Sequence, residues 1–347
     1  MFSRSVFLVG PGFIGQEIIG HLLRENYTVT ALVRTDSAAT ALQAIGVKTI
    51  SGTLDDKDII TQQVLQSNIV FHTAGADDVP SASAVVAGIQ QRAAQGLETT
   101  YVHTSGASMF ADQSAGDYLG EKTFSDETSA AFDALPDSAH HRNVDLIILR
   151  GVKDIQDKVK VAIMIPPAIY GVGSNSKRLS IQYPVMTRYA LKHGYAGHVG
   201  KGLSTWSQVH VKDLGRGYMV ILHWLEGVSP QEAAVNPYWL CENGQELSWG
   251  GASAAIGQAL FEAGRLPSAD TKTIPPANYD DLFGSYATDL IAGSNARVRA
   301  KRLRRLGWTP QEKGTLESLV EDEIPLLLQE KGVATGFAMG GASADSK

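Results

Sequence analysis

Cysteine is almost missing from this chain: Cys241 stands alone in 347 residues. One thiol excludes an internal disulfide framework and any cysteine-cluster metal site, and it fits a reducing compartment. Cys241 itself reads as a small buried hydrophobe. Long apolar runs are missing too. None approaches the ~20 residues that a membrane-spanning helix needs, and Met1-Phe2-Ser3-Arg4 lead straight into a strand pattern without the parts of a secretory signal. The expectation is a cytoplasmic protein with no membrane association. A basic excess is also absent: 30 Lys and Arg stand against 36 Asp and Glu, a formal net charge of -6. Such a balance lacks the footprint that neutralises phosphate backbones, so nucleic acid is not an expected partner. The acidic loops show no metal-ligand spacing, and no metal is expected.

What is present is a chain with 44% hydrophobic residues, enough for one large or two modest domains. Short apolar runs alternate with helical patterns from the start: Val6-Phe7-Leu8-Val9, then Phe13 to Asn26, then Thr28-Val29-Thr30-Ala31-Leu32-Val33. Further strands are expected at Lys48 to Ser51, Ile69 to Thr73 and Thr100 to Ser105, with helices near Ala38 to Ile45, Asp56 to Gln66 and Ser81 to Gln95 between them. Strands that are nearly all apolar have both faces covered, which is the habit of a parallel sheet. From Gly106 to Arg142 the pattern dissolves into Ala, Asp, Ser and Gly, read as a long functional loop with short helical pieces. A helix from about Val144 to Gln156 and the strand Val161-Ala162-Ile163-Met164-Ile165 continue the sheet. The fold expected is α/β: a Rossmann doubly wound parallel sheet over residues 1–170, a smaller C-terminal α/β substrate lobe over 171–330, parts of which return to the sheet, and a flexible tail over 331–347.

Gly10-Pro11-Gly12-Phe13-Ile14-Gly15 joins the first strand to the first helix. In that context the three glycines serve different ends. Gly10 permits the tight turn, Gly12 lets the backbone approach a pyrophosphate, and Gly15 lets helix and strand pack closely. The helix start beyond them offers free N–H groups and a partial positive charge to phosphates. A nicotinamide dinucleotide is therefore the expected cofactor. At the end of the second strand an acidic residue would accept from a ribose 2′-OH, whereas arginine favours a 2′-phosphate. Arg34 stands there, with Thr35 and Ser37 as hydroxyl donors. NADP(H) is preferred on this ground, NAD(H) remaining open because Asp36 lies two residues on.

With this loop, Thr104-Ser105-Gly106-Ala107 after the fifth strand, and Pro166-Pro167-Ala168-Ile169-Tyr170-Gly171, the chain resembles the extended short-chain dehydrogenase/reductases, a superfamily that includes NAD-dependent epimerases and dehydratases. The resemblance runs from about Ser5 to Glu321 and includes Trp206 to Asp213 and Leu306-Gly307-Trp308-Thr309-Pro310. Ala31-Leu32-Val33-Arg34 and His103-Thr104-Ser105-Gly106 look most similar to its NmrA-like branch. The resemblance implies that Thr53 and Leu54 lie beside the adenine, Thr53 departing from the aspartate usual there. It also implies that Thr73, Ala74 and Gly75 run along the cofactor near the nicotinamide ribose, and that Pro166 and Pro167 flank the carboxamide. Trp206 and His210 are expected to line the substrate cleft or to pack at the lobe junction.

Such enzymes move a hydride between the nicotinamide and a carbonyl or alcohol carbon, with a tyrosine as acid/base, a lysine beside it and a serine orienting the substrate oxygen. Ser105, Tyr118 and Lys122 are the candidates, since Tyr118-x-x-x-Lys122 on a helix would share one face. Counting back from Pro167 places the corresponding helix near His140 to Ile148 instead, where His141-Arg142-Asn143-Val144-Asp145 stand. Ser105 with His141 is then the alternative. The run Arg297, Arg299, Lys301, Arg302, Arg304 and Arg305 reads as a solvated helix face. The leading expectation is an NADP(H)-dependent oxidoreductase acting on a small organic molecule. The alternatives are a non-catalytic NmrA-like dinucleotide sensor, or an epimerase or dehydratase holding NAD. Substrate and oligomeric state, a homodimer included, stay open.

Overall fold

Seven parallel strands form the centre of the computed structural model, which describes residues 4–174 and 178–330. The tail expected over 331–347 lies outside the described residues. The first half runs β1 (Ser5–Val9), α1 (Phe13–Arg24), β2 (Thr28–Val33), α2 (Asp36–Gln43), β3 (Lys48–Ser51), α3 (Lys57–Leu65), β4 (Ile69–His72), α4 (Val79–Ala94) and β5 (Thr99–Thr104). After the long loop come α5 (Arg142–Val152) and β6 (Val159–Ile165). β7 (Ala168–Tyr170), α6 (Gln182–His193), β8 (Thr205–His210), α7 (Val211–Gly227), β9 (Tyr238–Leu240), β10 (Glu246–Ser248), α8 (Trp249–Glu262) and α9 (Lys301–Arg305) follow.

The sheet order is β9-β6-β5-β4-β1-β2-β3. This is the doubly wound Rossmann arrangement, reversing between β1 and β4. Phe7, Val9, Val70 and Tyr101 face one side, with Ile60, Val85, Ile89 and Ile148 from α3, α4 and α5. Val6, Leu8, Ala31 and Phe71 face the other, with Ile18 and Leu22 of α1 and Tyr218 and Leu222 of α7. Burying both faces removes the strands' apolar surface from water, worth roughly 25 cal/mol per Å². The sequence boundary at 170 is crossed by the chain: α7 covers α1, and β9 pairs in parallel with β6, Trp239 opposite Met164. The second lobe has its own core of Tyr183, Tyr189, Trp206, Trp249 and Phe283. Its small sheet pairs β8 in parallel with β7 and antiparallel with β10.

Only part of the basic run is a solvated helix face: Lys301, Arg304 and Arg305 are exposed, whereas Arg297, Arg299 and Arg302 are half-buried. Only Lys301–Arg305 is helical, and the side chains lock the lobes together. Arg302 stacks 3.6 Å from the centre of the Trp239 ring and donates to the carbonyls of Asn236 and Tyr238. Arg297 and Arg299 both pair with Glu246. Buried Asp126 accepts from the backbone N–H groups of Leu240, Lys301 and Arg302. Arginine stems cover aromatic surface while their heads find carbonyls and carboxylates, so the charges are used inside the fold. Among the described residues, no helix is long and apolar enough to cross a membrane.

Candidate active site

The glycine loop sits at the reversal of strand order, where open α/β sheets bind ligands beyond the strand ends. Gly10 has φ +96°, and a Cβ there would stand 2.5 Å from the Ala74 nitrogen. A Cβ on Gly15 would meet the Gly10 carbonyl oxygen at 2.2 Å. Neither position has room for a side chain. Gly12 is different: among the described residues, only an Arg178 guanidinium nitrogen comes within 4 Å of its Cβ position, at 3.9 Å. α1 begins beside this space, its first turn holding Phe13, Ile14 and Gly15, without a side-chain cap on its N–H groups. Open volume, free N–H donors, the helix dipole and a facing cation suit a pyrophosphate. Arg178 carries no hydrogen bond or ion pair of its guanidinium among the described residues, and nothing in the sequence spacing marks it. Thr73 donates from Oγ1 to the Gly10 carbonyl at 2.6 Å, which sets Thr73, Ala74 and Gly75 against the loop.

Arg34 follows β2, exposed beside Thr35, whose hydroxyl accepts from Ala38 N and so caps α2. Asp36 lies in the first turn of α2, where a carboxylate favours the helix dipole. Thr53 donates from N and Oγ1 to Asp56 Oδ2, at 2.6 and 3.0 Å. These bonds hold Asp56 below the usual carboxylate range. Leu54 packs half-buried against the core beneath. The Pro166 carbonyl accepts from Ala107 N at 3.0 Å, and Pro167 follows it between β6 and β7.

At the end of β5, buried Ser105 Oγ lies 3.1 Å from Asp145 Oδ2 on α5. His141 precedes α5 in the left-handed region, φ +65°, a conformation costing a residue with a Cβ on the order of 1 kcal/mol. The turn packs the rings of His140 and His141 with centroids 3.8 Å apart. Asp77, from the loop after β4, meets His141 Nδ1 at 2.7 Å and His140 Nε2 at 3.6 Å. Ser108 Oγ meets His140 Nδ1 at 2.7 Å. The other edge of His141 faces Gly106, where a Cβ would stand 2.9 Å from Nε2. His141 is therefore fixed between a carboxylate and the residue after Ser105.

Burial alone would raise the Asp77 carboxyl, but the hydrogen bond from His141 and the two imidazoles hold it below the usual range. Burial, aided by His141, lowers His140 to about 4. Burial pushes Asp145 up to about 7 against the pull of Ser105 and Arg142. Behind Asp145 lies a buried polar group: His103 Nε2 faces Asp145 Oδ1 at 3.9 Å, His103 Nδ1 lies 3.3 Å from His72 Nδ1, and His72 Nε2 lies 3.1 Å from Ser81 Oγ. Burial keeps both histidines neutral, His72 at about 4 and His103 far down. The donor atoms of Asp77, His140 and His141 lie within 4.8 Å of one another, a grouping able to hold a metal ion that sequence spacing did not indicate.

Tyr118 and Lys122 do not share a helix face. Residues 111–123 form an irregular loop, tied down by Asn295 donating to the Tyr118 carbonyl and Arg297 to the Gly120 carbonyl. Asp117, Gly116 and Gly120 break helical continuity there, so the Tyr-x-x-x-Lys spacing carries no geometry. Tyr118, 52% exposed, and Lys122 line a cleft of about 690 Å³ together with Ser108, His140, Tyr286 and Arg297. Trp206 is buried in the second lobe and donates to the Ser294 carbonyl at 2.9 Å. His210 caps α7 and packs edge-on against Tyr170. Both belong to the lobe junction.

Residues 10–150 match the family model described as NAD(P)H-binding. The chain carries an NAD(P)H-binding domain. An oxidase, UcsJ, of Acremonium sp. is 29% identical over 335 residues, covering 89% of this chain and 93% of the relative. A 4-hydroxy-2-methyl-3-oxo-4-farnesyl-3,4-dihydroquinoline-1-oxide ketoreductase of Stigmatella aurantiaca is 30% identical over 96 residues, 28% of each chain. Among solved structures, dTDP-glucose 4,6-dehydratase of Bacillus anthracis in complex with NAD superposes with a TM-score of 0.65 at 16% identity, covering 94% of this chain and 97% of that one. UDP-glucose 4-epimerase of Thermotoga maritima gives 0.63 at 13% identity, over 93% and 99%. The chain thus shares the fold of these dehydratase and epimerase structures.

Proposed function

We propose that this protein is an oxidoreductase that moves a hydride between a nicotinamide dinucleotide, NADP(H) in preference to NAD(H), and a carbonyl or alcohol carbon of a small organic substrate. The observation that carries the reading is the placement of His141, held by Asp77 on one ring edge and facing Gly106, next to Ser105, on the other. The cofactor, when bound, supplies or accepts the hydride. Ser105 orients the substrate oxygen and His141 exchanges its proton, Asp77 fixing the imidazole and stabilising its charged form. Tyr118 and Lys122 face the substrate from the cleft wall. Arg34 and Thr35 take the 2′-phosphate, Arg178 and the start of α1 the pyrophosphate; Thr53, Leu54, Pro166 and Pro167 keep the contacts that the family resemblance implies. Relatives named as an oxidase and a ketoreductase support the reaction class.

The test is NADPH and NADH oxidation by the purified protein with a panel of aliphatic and aromatic ketones and aldehydes, repeated with His141→Ala and Tyr118→Phe. Turnover lost in His141→Ala and kept in Tyr118→Phe supports the assignment; the reverse refutes it. Cofactor binding without turnover on any carbonyl would favour a dinucleotide sensor.

A further inference from the structure

Two buried polar atoms at the centre of the molecule face each other without a hydrogen-bond partner: Asp145 Oδ1 and His103 Nε2, 3.9 Å apart. Both side chains are wholly enclosed. An ionised carboxylate there would accept from Ser105 and leave its second oxygen unsatisfied, an arrangement that a dry interior penalises heavily. A protonated carboxyl removes the charge from this enclosed place: its proton goes to Ser105 Oγ, and only a neutral carbonyl oxygen is left on the His103 side.

We infer that Asp145 is a positioning residue that works as a neutral acid: its proton points at Ser105 Oγ, so that the Ser105 hydroxyl proton is turned outward to the substrate oxygen, while His103 backs the other carboxyl oxygen. The inference rests on the proposed reaction for its consequence and on the buried geometry for the proton itself. The neighbouring hydrogen bonds run in one direction. With neutral imidazoles, we assign Ser81 as donor to His72 Nε2, His72 Nδ1–H as donor to His103 Nδ1, and His103 Nε2–H as the group that faces Asp145. Tyr101, whose hydroxyl lies 3.3 Å from His72 Nδ1, closes the group from the same strand as His103.

The charges around Asp145 divide. Arg142 on its own helix favours the ionised form but is engaged with the Tyr238 hydroxyl of β9. Asp77, across the site, disfavours it, and the neutral His103, Tyr101 and Tyr238 supply no compensating charge. Burial decides the balance. When Asp145 does ionise, at higher pH, Ser105 turns its proton inward to the carboxylate and ceases to serve the substrate.

Infrared difference spectroscopy of the full chain between pH 5.5 and 8.5 tests the proton directly. The expected result is a protonated-carboxyl stretch at low pH, beside that of buried Glu323, that disappears in Asp145→Asn and shifts in Ser105→Ala. Absence of the band, or a spectrum that Asp145→Asn leaves unchanged, overturns the inference whatever the enzyme's reaction proves to be. With any carbonyl of the panel that is turned over, Asp145→Ala loses roughly tenfold, the worth of one oriented hydrogen bond. Asp145→Asn, whose amide reproduces the neutral acid's donor and acceptor, restores most of that loss and alters the alkaline limb of the wild type, leaving the part that belongs to His141. An unchanged alkaline limb in Asp145→Asn overturns the positioning role. A wild type that turns over no carbonyl overturns the proposed reaction, with the infrared result still deciding Asp145.

Discussion

Replacing Asp145 by asparagine should make the protein more stable at pH 8, by clearly more than it does near pH 5. The side chain is fully buried on α5, and burial raises its carboxyl from an ordinary 3.8 to about 7. A carboxyl whose pKa is higher in the folded state binds its proton more tightly there. Stability is therefore highest where both states hold the proton, falls as pH rises from about 4 to about 7, and is fully reduced above that. The span corresponds to about 4 kcal/mol at most, on the order of 1.4 kcal/mol for each tenfold change in proton affinity. Asparagine copies the shape and hydrogen bonding of the neutral acid but never ionises, so it escapes the loss. Urea unfolding at pH 5 and pH 8 measures the difference through the midpoints. An advantage of up to about 4 kcal/mol for Asp145→Asn at pH 8, shrinking by about 2–3 kcal/mol at pH 5, is expected. A variant that is less stable than wild type at pH 8, or a difference that does not change with pH, would refute the reasoning.

Substituting Arg34 by Ala should weaken NADPH binding by roughly tenfold or more while altering NADH little, the loss of one charge-assisted contact; equal losses in the two titrations would remove the 2′-phosphate role. Arg178→Ala should weaken both cofactors alike, since a pyrophosphate is common to them, as read by the same titrations. Exchanging Arg302 for Ala should cost about 3 kcal/mol or more, because it strips the Trp239 ring of its cover, leaves the carbonyls of Asn236 and Tyr238 short of a donor and takes a compensating charge from Asp126. Thermal unfolding checks this, and a shift of only a degree or two would place Arg302 on the surface after all.

The parallel sheet was legible because its evidence is local. β1 to β6 are apolar runs of the right length separated by helical periodicity, and the glycine loop is six consecutive residues at a strand end. The reactive end was not legible, because its partners lie far apart in sequence: Asp77 meets His141 across 64 residues, and Ser105 meets Asp145 across 40. Counting back from Pro167 did lead to the segment that starts at His141, since the strand β6 fixes where its preceding helix must be, but it gave Asp145 no role. Tyr118 and Lys122 show the converse. Their spacing matched a helix face, but Asn295 and Arg297, from the far end of the chain, hold that segment as a loop. The basic run misled for the same reason, since only the fold brings Trp239 and Glu246 to it.

The central claim, that a dinucleotide lies over Gly12, is tested most directly by fluorescence titration of the wild type and Gly12→Val with NADPH and NADH, alongside thermal unfolding of both proteins. Gly12 has open space above it, so valine should occupy the place of the pyrophosphate, and the melting curves read whether the fold is kept. The account predicts saturable binding by the wild type, tighter for NADPH, and its loss in Gly12→Val at an unchanged melting temperature. A wild type that binds neither cofactor, or a Gly12→Val variant that binds as well as wild type, would contradict it.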